Sequence, residues 1–170
     1  MKKVIILVLV VIIVFAYIGR KPISQGQSTN NTLATVNSHC HSTDDLPDIL
    51  CTPGAKNPDV TESNIHQTIC VKGWTKTIRP PLAVTTKIKQ KSIDDYGYVD
   101  KNLKSYELDH LIPLELGGAP LDSKNLWAEP APSPNPKDRI ENDLNHKVCS
   151  GQLQLEIAQR MIATNWKQAH

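Results

Sequence analysis

Adjacent residues Asp109 and His110 are the side chains of this chain best suited to chemistry. A carboxylate is a hard oxygen ligand of the kind that Mg²⁺ and Mn²⁺ prefer. Imidazole has an ordinary pKa near neutral pH, so a histidine can take a proton from water as a general base. Neighbours on a strand point to opposite faces, which would let one side chain bind a cation while the other meets a substrate. Taken alone, such a pair is far more often a surface salt bridge or a buried hydrogen-bonded pair than a catalytic one.

The elements around this pair are predicted to form a strand, a hairpin, a second strand and a helix. Residues 106–113 are predicted as the first strand, Gly117-Gly118 as a turn, and residues 125–127 as a short second strand. Pro136 suits the first turn of the helix that follows, and a further helix completes the chain. The apolar residues that recur at helical spacing in these two helices are Ile140, Leu144, Val148, Leu155, Ala158, Ile162 and Trp166.

Shorter elements are predicted upstream of the pair. Thr61 has the character of an N-cap, and a short helix is expected from there to about Cys70. Residues 73–79 alternate in the manner of a strand, which Pro80-Pro81 would end. A second helix is expected over residues 86–96. The prediction is therefore an α+β domain.

The net charge of the chain excludes one class of function, and the charge of one segment favours another. The chain has 19 Lys and Arg against 17 Asp and Glu, a formal net charge of +2, which excludes a strongly basic DNA-packaging protein. Residues 72–104 nevertheless carry eight basic and three acidic residues. This excess could dock a polyanion such as nucleic acid, or it could be a solvated lysine-rich surface.

The N-terminal segment is predicted to direct the chain out of the cytosol. Residues 1–21 place an uncharged apolar run of 16 residues between basic flanks, which is typical of a signal peptide or an N-terminal membrane anchor. Residues 22–46 are polar and are predicted to be a flexible linker, with the folded domain over residues 47–170. Membrane contact is expected only through the N-terminal segment. The domain would be secreted, periplasmic or anchored outside the cytosol.

The four cysteines agree with export. Cys40, Cys51, Cys70 and Cys149 contain no C-x-x-C pair of the kind that binds zinc, so disulfides are expected. Four cysteines allow three pairings, which the sequence leaves open. A bridge between Cys70 and Cys149 would close a long loop and stabilise the fold by roughly 3 to 5 kcal/mol.

Motifs along residues 47–168 resemble a known family. The Asp-His pair followed by a proline, a Gly-Gly turn, an Asn-Leu and a helix is similar to the HNH endonucleases, which share the ββα-metal or His-Me finger fold. Further segments resemble a group of exported bacterial HNH-like proteins. They are Thr52-Pro53-Gly54-Ala55, Thr68-Ile69-Cys70, Arg79-Pro80-Pro81, Tyr106-Glu107-Leu108-Asp109-His110, Leu116-Gly117-Gly118, Asn125-Leu126-Trp127, Lys137-Asp138-x-x-Glu141 and Val148-Cys149-x-Gly151. The resemblance implies a ββα-metal core with helix and strand elements before it and helices after it.

The resemblance also implies roles for particular residues. His110 would be the general base, Asp109 a ligand of one Mg²⁺ or Mn²⁺ ion, and Asn125 the residue that orients His110. The family's third motif residue has no counterpart, because residues 130–134 are proline-rich and displace the start of the helix. Glu141 or Asp138 is expected as the second metal ligand. The candidates for contacts to the substrate phosphate are Arg79, Lys124 and Lys137.

The predicted function is metal-dependent hydrolysis of phosphodiester bonds in DNA or RNA, with little sequence preference and by a monomer. No element resembles a base-reading helix, so recognition of the backbone is expected. One alternative is a non-catalytic module that keeps the fold and holds nucleic acid or another polyanion. Another is a disulfide-stabilised envelope protein with a protein partner. A nuclease toxin would in addition need an immunity partner, which one chain does not reveal.

Overall fold

The computed structural model describes residues 40–130 and 135–169. The apolar run predicted as a signal or anchor, and residues 22–39 of the predicted linker, lie outside this part of the chain. Among the helices within it, none is both long and apolar enough to cross a membrane.

The described domain is of the mixed α+β class, as predicted. Its two strands, β1 (Glu107–His110) and β2 (Leu126–Glu129), pair antiparallel. The α-helices are α1 (Trp74–Ile78), α2 (Leu82–Asp95), α3 (Lys137–Cys149) and α4 (Leu155–Asn165). Short 3₁₀ helices cover Glu62–Gln67, Leu103–Ser105, Leu114–Leu116 and Trp166–Gln168.

Two predicted elements differ in type from those observed. The strand predicted over residues 73–79 is wrong, because Trp74–Ile78 is a helix whose N-cap Gly73 has a φ of 84°. The Thr77 hydroxyl donates to the Trp74 carbonyl at 2.7 Å, which satisfies the helical backbone locally. A seven-residue window is too short for a two-residue alternation to distinguish the two conformations. The predicted helix after Thr61 is a 3₁₀ helix, and Thr61 is its N-cap as expected.

Other boundaries moved by a few residues. Helix α2 begins at Leu82, directly after Pro81, four residues earlier than predicted. Strand β1 ends at His110, because the chain then passes through Pro113 into a 3₁₀ turn. The predicted second strand and both C-terminal helices are confirmed.

Both pairs of cysteines are oxidised, which confirms the expectation of disulfides. Cys40 is bonded to Cys51, and Cys70 to Cys149, so the second bridge joins the turn after the first 3₁₀ helix to the end of α3. Two disulfides point to an oxidising environment. Residues 40–46, assigned to the linker from sequence, contact the domain: the Cys40 amide donates to the Asp95 carbonyl at 2.9 Å.

The main core lies between the C-terminal helices and the loop after β1. Leu116, Leu144 and Ile162 are completely buried there, together with Val148 and Leu155. The apolar positions predicted for α3 and α4 form this core. It holds α3 against the loop that follows β1, through Ile112 and Leu116.

A second contact holds the hairpin from the other side. Helix α2 packs on β2, where Ile93 and Ala128 are completely buried. The Ser92 hydroxyl accepts a hydrogen bond from the Ala128 amide at 2.7 Å. Antiparallel pairing and this helix together leave the side chains of β1 and β2 little freedom.

Candidate functional site

The hairpin places Asp109 and His110 in different surroundings. Asp109 lies opposite Trp127 in the strand register, and His110 lies opposite Leu126. Asp109 is buried, with 8% of its surface exposed, while His110 is partly exposed. The alternation of a strand thus separates the two side chains as the sequence predicted.

The carboxylate of Asp109 is held by a buried lysine. The Lys137 ammonium lies 2.9 Å and 3.0 Å from the two carboxylate oxygens, and only 1% of the Lys137 surface is exposed. The Trp127 indole nitrogen also donates to Asp109, at 3.2 Å. Both oxygens of Asp109 are therefore occupied by donors from the protein itself.

Lys137 has further oxygen partners. Its ammonium donates to the backbone carbonyl of His110 at 2.8 Å and to Glu141 Oε1 at 2.7 Å. Burial alone would lower the pKa of Lys137, but the negative charges of Asp109 and Glu141 outweigh burial and raise it. The side chain is consequently a fixed, permanently charged cation inside the site.

Glu141 carries the surplus negative charge of this cluster. Two carboxylates share one ammonium, and burial raises the pKa of Glu141 to about 7 even though Lys137 opposes the shift. The carboxylate of Asp109 contributes to the rise. Asp138, the other predicted ligand, is exposed one residue after Lys137 and has no side-chain hydrogen bond to Asp109.

His110 is oriented by the loop that follows the Gly-Gly turn. Its Nε2 lies 3.2 Å from the Pro120 carbonyl oxygen. A carbonyl can only accept, so Nε2 carries the proton and Nδ1 of the neutral ring is left to accept one. Burial lowers the pKa of His110, and the positive charges of Arg79 and Lys137 act in the same direction. The ring is thus neutral at physiological pH and has the tautomer of a base.

Asn125 fixes the same loop from within. This residue is completely buried; its Oδ1 accepts from the Ile112 amide at 2.9 Å, and its Nδ2 donates to the carbonyls of Ile112 and Ala119 at 2.9 and 3.1 Å. Ala119 immediately precedes Pro120, so the amide positions the carbonyl that orients His110. Gly118 is required here, because a Cβ would lie 1.8 Å from the Ile112 oxygen.

The remaining predicted substrate residues are dispersed. Arg79 is exposed just after α1, near enough for its charge to act on both His110 and Glu115. Lys124 is exposed in the loop before β2. Lys137 was predicted as a phosphate contact, but its ammonium faces carboxylates and carbonyls inside the protein.

Glu115 was not among the predicted site residues, but the charges of Asp138 and Lys137 act on its carboxyl group. Its Oε1 is buried and has no hydrogen-bond partner among the described residues. Burial raises its pKa, and the nearby charge of Asp138 adds to the shift. A buried oxygen without a partner is costly, so this carboxyl group has spare capacity to bind a ligand.

Two polar contacts of the site were not predicted from sequence. The Asn135 side chain donates to Glu129 Oε2 at 2.7 Å, and its Oδ1 accepts from the Lys137 amide at 3.0 Å at the start of α3. The hydrogen bond from the Trp127 indole to Asp109 was not predicted either. The position of Trp127 opposite Asp109 in the hairpin register was the available signal for the indole contact.

The basic segment over residues 72–104 is partly used within the fold. The Lys89 ammonium donates to the carbonyls of Leu103 and Tyr106, and Lys91 and Lys101 pair with Asp95 and Asp94. The other basic residues of the segment are exposed, and they are Lys72, Lys76, Arg79, Lys87 and Lys104. Their surface includes Arg79, whose charge acts on His110.

The chain has no match among known proteins in three comparisons. No family model matches it, and no curated protein or solved structure does. The likeness to HNH endonucleases therefore depends on the motifs of this sequence alone.

The arrangement does not fit a divalent cation at Asp109. Within residues 40–130 and 135–169, no group of three or more His, Cys, Asp and Glu side chains is placed to hold a metal ion. The two carboxylates that come together, Asp109 and Glu141, already contact the Lys137 ammonium. A metal ion there would have to displace a buried lysine. The Mg²⁺ or Mn²⁺ site predicted at Asp109 with Glu141 or Asp138 would require that displacement.

Proposed function

We propose that this chain hydrolyses phosphodiester bonds in nucleic acid, with His110 as the general base. The observation that carries the proposal is the hydrogen bond from His110 Nε2 to the Pro120 carbonyl, which leaves Nδ1 to accept a proton from water. Asn125 supports it by holding the same loop through the Ala119 carbonyl. We also propose that β1, β2 and α3 correspond to the ββα core of the HNH family.

The charges around His110 suit an anionic substrate. Arg79 is exposed, and its charge acts on the His110 ring, so it could contact a phosphate oxygen. The exposed lysines of the basic segment could bind neighbouring phosphates. Such contacts follow the backbone and carry no sequence information. The proposed substrate is therefore DNA or RNA of arbitrary sequence, met outside the cytosol where both disulfides persist.

A cleavage assay tests the base. Full-length chain is incubated with supercoiled plasmid DNA and, separately, with single-stranded RNA, with and without Mg²⁺ or Mn²⁺. His110→Ala is expected to lower the cleavage rate at least a hundredfold, since general-base catalysis contributes about 10² to 10⁴ in rate. His146→Ala, which removes an exposed histidine on α3, is the matched control. Cleavage by His110→Ala at the wild-type rate would overturn the assignment.

One observation favours a second function. The Asp109 carboxylate is bound by Lys137 and Trp127, so the residue implied as the metal ligand is not free. The alternative is a non-catalytic module that binds nucleic acid through the basic segment. It predicts that wild type and His110→Ala bind labelled DNA equally at low salt and that neither cleaves it.

A further inference from the structure

We infer that the ammonium of Lys137 is a built-in substitute for a divalent cation at Asp109, and that removing it would create a metal site. The inference concerns cation binding, so it holds whether or not the chain cleaves nucleic acid. Four oxygens surround the ammonium: both of Asp109, Oε1 of Glu141 and the backbone oxygen of His110.

The chemistry of these oxygens is that of a hard-cation site. Carboxylate and carbonyl oxygens are the ligands that Mg²⁺, Mn²⁺ and Ca²⁺ take in proteins. The four distances, 2.7 to 3.0 Å, are those of ammonium hydrogen bonds and exceed the 2.0 to 2.1 Å or so of magnesium coordination. The four oxygens are thus spaced for the ammonium of Lys137, which is larger than Mg²⁺ and is part of the chain itself.

The position of Lys137 in its helix supports this interpretation. Lys137 is the first residue of α3, where the helix dipole is unfavourable for a positive charge. Its backbone amide is held by Asn135 Oδ1, so the helix start is fixed with the side chain directed into the protein. The two carboxylates are the compensation for both the dipole and the burial of the ammonium.

An external metal ion competes poorly against this ammonium. Only 1% of the Lys137 surface is exposed. For a metal ion to bind in its place, the charged ammonium would have to leave the buried site and reach solvent. A divalent ion would also have to displace the indole donor of Trp127 from Asp109 to use both oxygens. We therefore expect no Mn²⁺ to bind at Asp109 in the wild-type chain.

Calorimetric titration with Mn²⁺ tests the inference on the full-length chain. Wild type is expected to show no saturable binding that depends on Asp109. Lys137→Met, which keeps length and removes charge, is expected to bind one Mn²⁺ per chain at least tenfold more tightly than wild type. Adding Asp109→Asn to Lys137→Met should abolish that gain. The matched control is Lys147→Met, which removes a lysine from the other end of the same helix and should leave Mn²⁺ binding unchanged.

Two results would overturn the inference. One is stoichiometric Mn²⁺ binding by wild type that Asp109→Asn removes. The other is a folded Lys137→Met chain, verified by circular dichroism, with no gain in Mn²⁺ affinity.

A measurement on wild type covers the case in which Lys137→Met does not fold. The ¹⁵N-ammonium signal of Lys137 should be visible by NMR because burial slows its exchange, and millimolar Mg²⁺ should leave it unchanged. Loss or a large shift of that signal would show displacement and overturn the inference. Failure of the cleavage assay together with the expected cation results would reject the proposed function and leave this inference standing.

Discussion

Helix α3 contains two lysine–carboxylate pairs with the same four-residue spacing and opposite surroundings. Near its start, Lys137 and Glu141 are 2.7 Å apart, with side chains 1% and 16% exposed. Near its end, Lys147 and Asp143 are 2.8 Å apart, with side chains 32% and 51% exposed. The two distances are almost equal, so distance alone does not distinguish a structural pair from a surface pair.

The two pairs differ in their burial and in the order of lysine and carboxylate along the helix. In the exposed pair the carboxylate precedes the lysine, an order that suits the helix dipole, and water screens the attraction. In the buried pair the lysine precedes the carboxylate, and its ammonium also donates hydrogen bonds to Asp109 and to the His110 carbonyl. The buried ammonium is thus part of the fold around the candidate site. We expect removal of the partly exposed Lys147 ammonium to have little consequence.

Replacing each lysine should give the largest contrast. Lys137→Met leaves two buried carboxylates without their cation, and loss of one partner of a buried pair costs about 3 to 5 kcal/mol. Lys147→Met should leave the free energy of unfolding close to that of wild type. Urea denaturation of both variants measures the difference. A Lys137→Met chain as stable as wild type would show that the buried cluster contributes nothing to stability.

A buried carboxyl group outside the lysine cluster should make stability depend on pH. Burial raises the pKa of Glu129 to about 7 from an ordinary 4.5, and the charge of Asp109 adds to the shift. Because the folded state binds this proton more tightly than the unfolded state, the contribution is present below pH 4.5 and is lost as pH rises through 7. That difference corresponds to about 3 kcal/mol.

The Glu129 contribution can be isolated by substitution. Glu129→Gln keeps an acceptor for the Asn135 amide and removes the charge. At pH 8 it should be more stable than wild type, and the advantage should shrink toward pH 5. Glu156→Gln, an exposed carboxylate on α4, is the control. Parallel stability profiles for wild type and Glu129→Gln would contradict the raised pKa.

An uncharged buried side chain should have an intermediate effect. Asn125→Ala removes three hydrogen bonds and leaves the Ile112 amide and the Ile112 and Ala119 carbonyls without that partner. A cost of about 2 kcal/mol is expected. Asn142→Ala, on the exposed face of α3, should change little. If Asn125→Ala matched Asn142→Ala in thermal unfolding, the buried amide would not be holding the His110 loop.

High salt should change stability least of these perturbations. It should weaken the Lys147–Asp143 pair more than the buried Lys137–Glu141 pair. At 1 M NaCl the screening length is about 3 Å, so attraction between exposed charges is lost while buried pairs are screened little. The stability difference between wild type and Lys137→Met should therefore survive in 1 M NaCl. Any small difference for Lys147→Met should vanish. Equal salt sensitivity of the two variants would place Lys137 in contact with solvent.

The hairpin and the C-terminal helices could be predicted from sequence because their signals are local. Gly117-Gly118 marks the turn, and the spacing of Ile140, Leu144 and Val148 defines the inner face of α3. The segment Trp74–Ile78 could not, because the six residues between Gly73 and Pro80 fit either helix or strand. Its conformation depends on neighbouring segments that no short window contains.

The candidate site was predicted in its residues more than in its contacts. Lys137 contacts Asp109, Glu141 and the His110 carbonyl, and Asn125 holds the loop that orients His110. That Lys137 would turn inward to Asp109 depends on a separation of 28 residues along the chain, which no local pattern reports. A lysine at the first position of a helix, where the dipole disfavours it, was the one available hint.

The cleavage assay in the presence of excess chelator tests the account most directly. If His110 is the base and the Lys137 ammonium takes the place of a metal ion at Asp109, the full-length chain should cleave plasmid DNA or RNA in 10 mM EDTA at a rate similar to that in Mg²⁺. His110→Ala should be inactive in both conditions. Cleavage by wild type that disappears with chelator and returns only with Mg²⁺ or Mn²⁺ would contradict the account.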